Sequence, residues 1–243
     1  REILELKYEM YNEDGEADRK DVFVKSFMKL ENMIGLDAVK QQMDNFIKSV
    51  SANKRLEKLN MKVNKSPMHS LFVGPAGTGK TVVARLFADL LWSIGLNDKR
   101  TLVEVSKEDM TSQYVGEPED IVKRKIKESL GGVLFIDEAY TLADNAGKDQ
   151  LGKKILEIIM RSMENHREQL VVIFAGYEEE MEMLLDVNQG LRSRFMYRFL
   201  FENYDISELS EIAKSMFFEQ GFNASRIEED LKRVIKKESD NGI

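Results

Sequence analysis

The stretch Ser70-Leu71-Phe72-Val73-Gly74-Pro75-Ala76-Gly77-Thr78-Gly79-Lys80-Thr81 decides how the 243-residue chain is read. From Gly74 onward it fits the phosphate-binding pattern G-x-x-x-x-G-K-[ST] at every fixed position. The apolar run Leu71 to Val73 predicts the buried strand that such a loop must follow. Val82 to Leu91, with Ala84, Leu86 and Phe87, predicts the helix that it must open. Gly77 and Gly79 let consecutive backbone N–H groups converge on phosphate oxygens, and the helix N-terminus adds about half a positive charge there. Lys80 is then expected to reach the β- and γ-phosphates, and the Thr81 hydroxyl to ligate Mg²⁺. The plain alternative is a glycine-rich turn with a surface lysine; strand and helix in register on either side weigh against it.

Composition bounds the rest. With 42% apolar and 9% aromatic residues the chain can bury a core in one large domain or two modest ones. No stretch approaches the twenty apolar residues of a membrane span, and the N-terminus has neither a basic lead nor a cleavable apolar region, so a soluble, cytoplasmic protein without membrane insertion is expected. There is no cysteine and only two histidines, which excludes disulfides and thiolate metal sites and disfavours zinc. A net charge of −7 makes nucleic acid an unlikely partner. The chain begins with arginine and is expected to be a piece of something longer.

Residues 1–31 read as a flanking arm or linker, with a short helix broken at Asn12 to Glu16. Val39, Met43, Phe46, Ile47 and Val50 predict an amphipathic helix entered through Ile34-Gly35-Leu36. The basic segment from Lys54 to Lys65 fits a solvated helix end better than a polyanion-binding patch. Thr101 to Val105 predicts a second strand, and Met110 to Pro118 a loop that displays Tyr114 and Val115. A helix from Glu119 to about Leu130 follows.

Val133-Leu134-Phe135-Ile136-Asp137-Glu138 is four apolar residues and then two carboxylates. Only a strand buried on both faces is so uniformly apolar, as in a parallel sheet, and ligands of such sheets gather at the carboxyl ends of the strands. Asp137 is expected to hold Mg²⁺, directly or through water, and Glu138 to orient and deprotonate the attacking water. The pair could instead cap the next helix; the phosphate-binding loop upstream favours the catalytic reading. Leu151, Ile155, Ile159 and Met163 predict a long crossover helix with these residues inward. Leu170 to Tyr177 is another buried strand, Glu178 to Asp186 a short acidic helix, and Met196 to Phe201 a fifth strand. Asp205 with Glu208 resembles a capping arrangement, followed by helices through Leu209 to Phe217 and from about Arg226 to Lys237. The expected fold is thus α/β, with a five-stranded mostly parallel sheet over residues 32–201 and a small all-helical lid over residues 202–243.

Taken together, the loop at Gly74 to Thr81, Tyr114-Val115-Gly116, Gly131 to Tyr140, Phe174-Ala175-Gly176-Tyr177 and Gly190-Leu191-Arg192-Ser193-Arg194-Phe195 resemble the AAA+ ATPases. Within them the likeness is to the CbxX/CfxQ group, which includes red-type Rubisco activases, sporulation protein K and type VII secretion ATPases; it covers about residues 30–240. The resemblance implies that ATP is held by Ile34, Gly35, Gly74, Pro75, Ala76, Gly77, Thr78, Gly79, Lys80, Thr81 and Val82, with Ile34 and Gly35 cradling adenine. It also implies that Tyr114 and Val115 grip a protein client in a pore loop, and that Arg194, with Arg192 as the alternate, reaches the γ-phosphate of the neighbouring subunit in a hexameric ring. From the residues alone, Tyr114 could equally be a half-buried loop residue and the arginines could be in surface ion pairs. Two departures stand out. The sensor position after the fourth strand, often Asn or Thr in the family, holds Gly176-Tyr177. The family's lid continues into a helix bearing a nucleotide-sensing arginine that this chain is expected to lack, so its turnover is expected to be low.

The leading functional expectation is an ATP-hydrolysing protein-remodelling motor. An assembly module that changes oligomeric state with nucleotide, without threading, is the second. A DNA-associated ATPase of clamp-loader type comes last, given the acidic balance.

Overall fold

The computed structural model describes residues 2–11, 17–62, 67–111, 117–143, 150–187 and 189–221, with 233, 234, 236 and 237 beyond them. Five strands form its sheet: β1 (Ser70–Val73), β2 (Leu102–Val105), β3 (Val133–Ile136), β4 (Val171–Gly176) and β5 (Tyr197–Leu200). Their order is β2-β3-β4-β1-β5 and every pairing is parallel. Every residue of β1, β3 and β4 is buried. Alternate side chains divide between two cores: Phe72, Phe135 and Ile173 belong to one, and Leu71, Leu134 and Phe174 to the other. A parallel sheet needs this cover on both faces, since its crossovers run over them.

The first core is closed by α1 (Glu2–Tyr11), α2 (Ala17–Glu31), α3 (Asp37–Lys58) and α4 (Lys80–Ser93). Here the expectation of a flank or linker over residues 1–31 is corrected. Phe23, Phe27 and Leu30 of α2 are fully buried against α4, and the Tyr8 ring of α1 tilts against Phe23 with ring centroids 5.3 Å apart. Ser26 donates to Asp89, which also pairs with Arg100, and Arg19 lies over the Trp92 ring while donating to the Trp92 carbonyl. Each fully buried phenylalanine contributes about 1.5–3 kcal/mol, well beyond what a solvated arm supplies. At the edge of the sheet, Gln42 of α3 accepts the Leu200 N–H of β5 at 2.9 Å, so the open strand is capped.

The second core is closed by α5 (Lys107–Thr111), α6 (Pro118–Ser129), α7 (Gln150–Asn165), α8 (Glu178–Val187) and α9 (Gln189–Arg192). Met110 and Thr111, expected in a loop, sit in α5, because Met110 is buried beside Val122 and Ile126. Leu151, expected inward, is 36% exposed at the first turn of α7, while Ile155, Ile159 and Met163 are buried as expected. The lid begins with α10 (Ile206–Glu219), opened by a true capping box: Asp205 accepts the Glu208 N–H at 2.7 Å and Glu208 accepts the Asp205 N–H at 2.8 Å. Most of the second expected lid helix lies outside the described residues.

Just before β1, His69 is buried and its Nδ1 accepts the Val172 N–H at 3.0 Å. Burial pushes its pKa from 6.5 down to about 4. The folded chain keeps this imidazole neutral while the unfolded chain protonates it, so the contribution is present above about pH 6.5 and is lost as pH falls toward 4. Chemical denaturation is expected to show about 2 kcal/mol less stability at pH 5 than at pH 7 from this group alone. The His69→Gln variant should show a correspondingly flatter profile; an unchanged profile would assign the loss to other groups.

Candidate functional site

The parallel register brings the carboxyl ends of β1, β3 and β4 side by side. Val73 pairs with Gly176, and Ile136 with Phe174. The Gly74 N–H continues the ladder to the Gly176 carbonyl at 3.1 Å, and the Asp137 N–H to the Val105 carbonyl at 3.0 Å. Beyond these ends lies a cleft of 320 Å³. Of the residues predicted to bind nucleotide, Ala76, Gly77, Gly79, Lys80, Thr81 and Val82 line it, opposite Asp137 and Glu138. Gly74, Pro75 and Thr78 form the frame behind.

Gly77 at φ 75° and Gly79 at φ 90° take the left-handed turns that a side chain would resist, and Gly79 is the cap of α4. Thr78 is buried and donates to the Pro75 carbonyl at 2.8 Å. Lys80 donates to the carbonyls of Gly74 and Pro75, at 2.8 and 2.6 Å, so its stem closes the loop. Burial lowers the Lys80 pKa, against the opposing pull of the Asp137 and Glu138 charges. Gly74 is required for a different reason. A Cβ there would lie 2.1 Å from the Phe201 carbonyl oxygen, because the chain leaving β5 crosses directly behind the loop.

Glu138 follows β3 with φ 47°, a left-handed backbone that costs a glutamate about 1–3 kcal/mol. The turn Ala139–Leu142 holds it there: the Thr141 N–H and hydroxyl both donate to the Glu138 carbonyl, at 2.9 and 2.7 Å, and its own N–H donates to Asp137 Oδ1 at 3.0 Å. Strain maintained by three hydrogen bonds marks a side chain aimed for a purpose. Thr81 and Asp137 bring one hydroxyl and one carboxylate into the same cleft, and among the described residues no group of three or more His, Asp or Glu is arranged to hold a metal ion by itself. That set suits a hard cation that keeps several waters and is bound mainly through substrate phosphates.

Three residues at the site were given no role from sequence, although Tyr140 and Tyr177 lie in the motifs that carry the resemblance. Tyr140 and Tyr177 line the cleft with rings 5.8 Å apart. The Tyr140 pKa is pushed up to about 12 by burial, with the Glu138 carboxylate adding to the effect. Tyr204 donates to the Thr78 carbonyl at 3.2 Å and, with Glu208, packs against Gly35. Ile34 and Gly35 thus stand at the start of the lid, not among the residues lining the cleft. No local pattern flags Tyr204; only the return of the chain after β5 carries it to the loop.

Neither predicted arginine lines the cleft of its own chain. Arg194 donates to the Gly190 carbonyl at 2.6 Å and pairs with Glu164 at 3.3 Å, its side chain 25% exposed. Arg192 is 54% exposed and pairs with Glu182 and Asp186. Tyr114 and Val115 lie outside the described residues. Among the described residues no helix is long and apolar enough to cross a membrane.

Comparison with known proteins adds to this geometry. Residues 70–203, more than half of the chain, match the model of the ATPase family associated with various cellular activities (AAA). The chain is 38% identical over 221 residues to the ESX-1 secretion system protein EccA1 of Mycolicibacterium smegmatis, covering 90% of this chain and 38% of that protein. It is 35% identical over 198 residues to stage V sporulation protein K of Bacillus subtilis, covering 82% of this chain and 61% of that one. The chain therefore spans less than two thirds of the length of either relative, and little more than a third of the first. Both fall in the CbxX/CfxQ group that the motifs resemble. Among solved structures, the HORMA:CdnC:Trip13 complex of E. coli MS115-1 aligns with a TM-score of 0.57 at 18% identity, over 86% of this chain and 76% of that one. The FIGL-1 AAA domain aligns with a TM-score of 0.51 at 20% identity, over 79% and 57%. These two support the fold.

The frame behind the loop can be probed without touching its polar groups. Gly74→Ala should force loop and strand apart, lowering stability by about 1–3 kcal/mol and weakening nucleotide binding. Thermal unfolding and fluorescent-nucleotide titration check both, and a variant with unchanged stability and affinity would contradict the tight crossing.

Proposed function

Because the chain belongs to the AAA family of ATPases, we propose that it binds ATP with Mg²⁺ at the carboxyl ends of β1, β3 and β4 and hydrolyses it to remodel a protein client, as a subunit of a ring, in the manner of a hexameric motor. The observation that carries this reading is the cleft itself, in which the loop, Lys80, Thr81, Asp137 and Glu138 converge. The backbone N–H groups of the loop and the start of α4 hold phosphate oxygens, and Lys80 exchanges its two loop carbonyls for phosphate. Thr81 and Asp137 would hold the metal ion, which when bound neutralises phosphate charge. Glu138, exposed and fixed by its strained backbone, orients a water and takes its proton.

An arginine is the part that one chain does not bring to its own cleft. Arg194 belongs at the neighbouring subunit's γ-phosphate in this reading, with Arg192 the alternate, and such a finger is worth about 10³–10⁵ in rate. To act there Arg194 must leave the exposed Glu164 carboxylate, a pair of small worth, and the part-buried hydrogen bond to the Gly190 carbonyl. Tyr114 and Val115 are proposed as the client-gripping pair, an aromatic ring being able to bury about 150–250 Å² against any side chain. A module that only assembles in response to nucleotide would use the same cleft; Tyr114→Ala, which should abolish client-stimulated turnover in the motor, would leave it intact. Cytoplasmic location is part of the same proposal.

Glu138→Gln is expected to lower turnover by about 10²–10⁴-fold while ATP still binds, and Arg194→Ala to lower turnover at unchanged nucleotide affinity. Steady-state turnover with parallel binding titrations tests both. Undiminished turnover in Glu138→Gln removes the hydrolytic reading. Undiminished turnover in Arg194→Ala, with loss in Arg192→Ala, moves the finger to Arg192.

A further inference from the structure

β4 ends between the phosphate-binding loop and the Asp137-Glu138 pair, the position from which a strand residue best reaches both. Its last residue, Gly176, offers no side chain. The space is already taken: a Cβ on Gly176 would lie 2.7 Å from Cδ1 of Tyr140 and 2.9 Å from the sulfur of Met181. The Tyr140 ring arrives there from the turn after β3 and tilts against Tyr177. Tyr140 lines the cleft with Lys80, Thr81 and Glu138, and the Glu138 carboxylate, two residues before it in the chain, is near enough to help raise the pKa of its hydroxyl. Among the described residues no ion pair holds that carboxylate, which lies on an exposed residue. The backbone of Glu138 is held by its hydrogen bonds to Asp137 and Thr141, while its exposed side chain has three rotatable bonds.

We propose that Tyr140 is the positioning residue for Glu138, and that Gly176 is small so that the Tyr140 ring can reach the place where a polar strand residue would otherwise stand. The hydroxyl donates to the Glu138 carboxylate and keeps its own proton throughout; Glu138 remains the group that takes the proton of the attacking water. The inference rests on the hydrolytic reading given above. It also accounts for the glycine at the expected sensor position: the polar group comes from the neighbouring turn instead of from the strand.

The test is Tyr140→Phe in the full chain, which keeps the ring on Gly176 and Tyr177 and removes the hydroxyl alone. Loss of one hydrogen bond to a charged group should lower kcat about 10- to 100-fold. KM for ATP, ADP affinity and the melting temperature should stay near those of the parent chain, which a packing role would not allow. Affinity for ADP with tetrafluoroaluminate, which depends on a correctly held water, should fall with kcat. Gly176→Ala, by pushing the ring aside, should lower kcat as well and add little to Tyr140→Phe. If Tyr140→Phe retains kcat and tetrafluoroaluminate affinity while Glu138→Gln abolishes turnover, the positioning role is wrong and the hydrolytic reading stands. If Glu138→Gln also retains turnover, both fall together.

Discussion

The parallel pairing of β1 with β4, and of β4 with β3, is the constraint on which the rest of the structure depends. It places Gly74, Asp137 and Tyr177 at the carboxyl end of the sheet, so that the three chain segments leaving it converge on one cleft. Parallel strands can hold this arrangement only if both faces are covered, and the two cores provide that cover. The helices are therefore not ornaments on a nucleotide site. Removing the apolar stripe of α2 or α7 would loosen the strand ends whose spacing sets the cleft.

Close approach governs the site as much as motif chemistry does. Gly74 lets the chain after β5 cross behind the loop, and Gly176 admits the Tyr140 ring. At both positions an added methyl group meets an atom at well under contact distance. The polar apparatus is correspondingly sparse: one lysine that ties the loop to itself, one hydroxyl, two carboxylates and a pair of tyrosines. Of these groups the lysine is partly desolvated, and a charge in such a place is less screened than in bulk water.

Much of this was legible in the sequence for identifiable reasons. The loop announces itself because its glycines, lysine and threonine are contiguous, and β3 because four apolar residues followed by two acids can hardly be anything but a strand buried on both faces. The helix cap at Asp205 was legible from a three-residue spacing, and the structure supplies both of its hydrogen bonds. What was not legible depends on pieces distant in sequence. The stripe of Phe23, Phe27 and Leu30 is interleaved with lysines and aspartate and follows a polar break, so it reads as a solvated arm until α4 is seen beneath it. Tyr204 reaches Thr78 across 126 residues, and Tyr140 matters because of a glycine on another strand.

In the proposed reading one chain has a cleft for nucleotide and a carboxylate to act as base, while Arg192 and Arg194 pair with carboxylates outside that cleft. In that reading the hydrolytic site is completed between subunits. The most direct measurement is ATP turnover per subunit across a thousandfold range of protein concentration, with the oligomeric state followed in parallel by light scattering. The account predicts that specific activity rises as subunits assemble and then levels off. Turnover per subunit that is flat across the range, in a chain that remains monomeric, would contradict it.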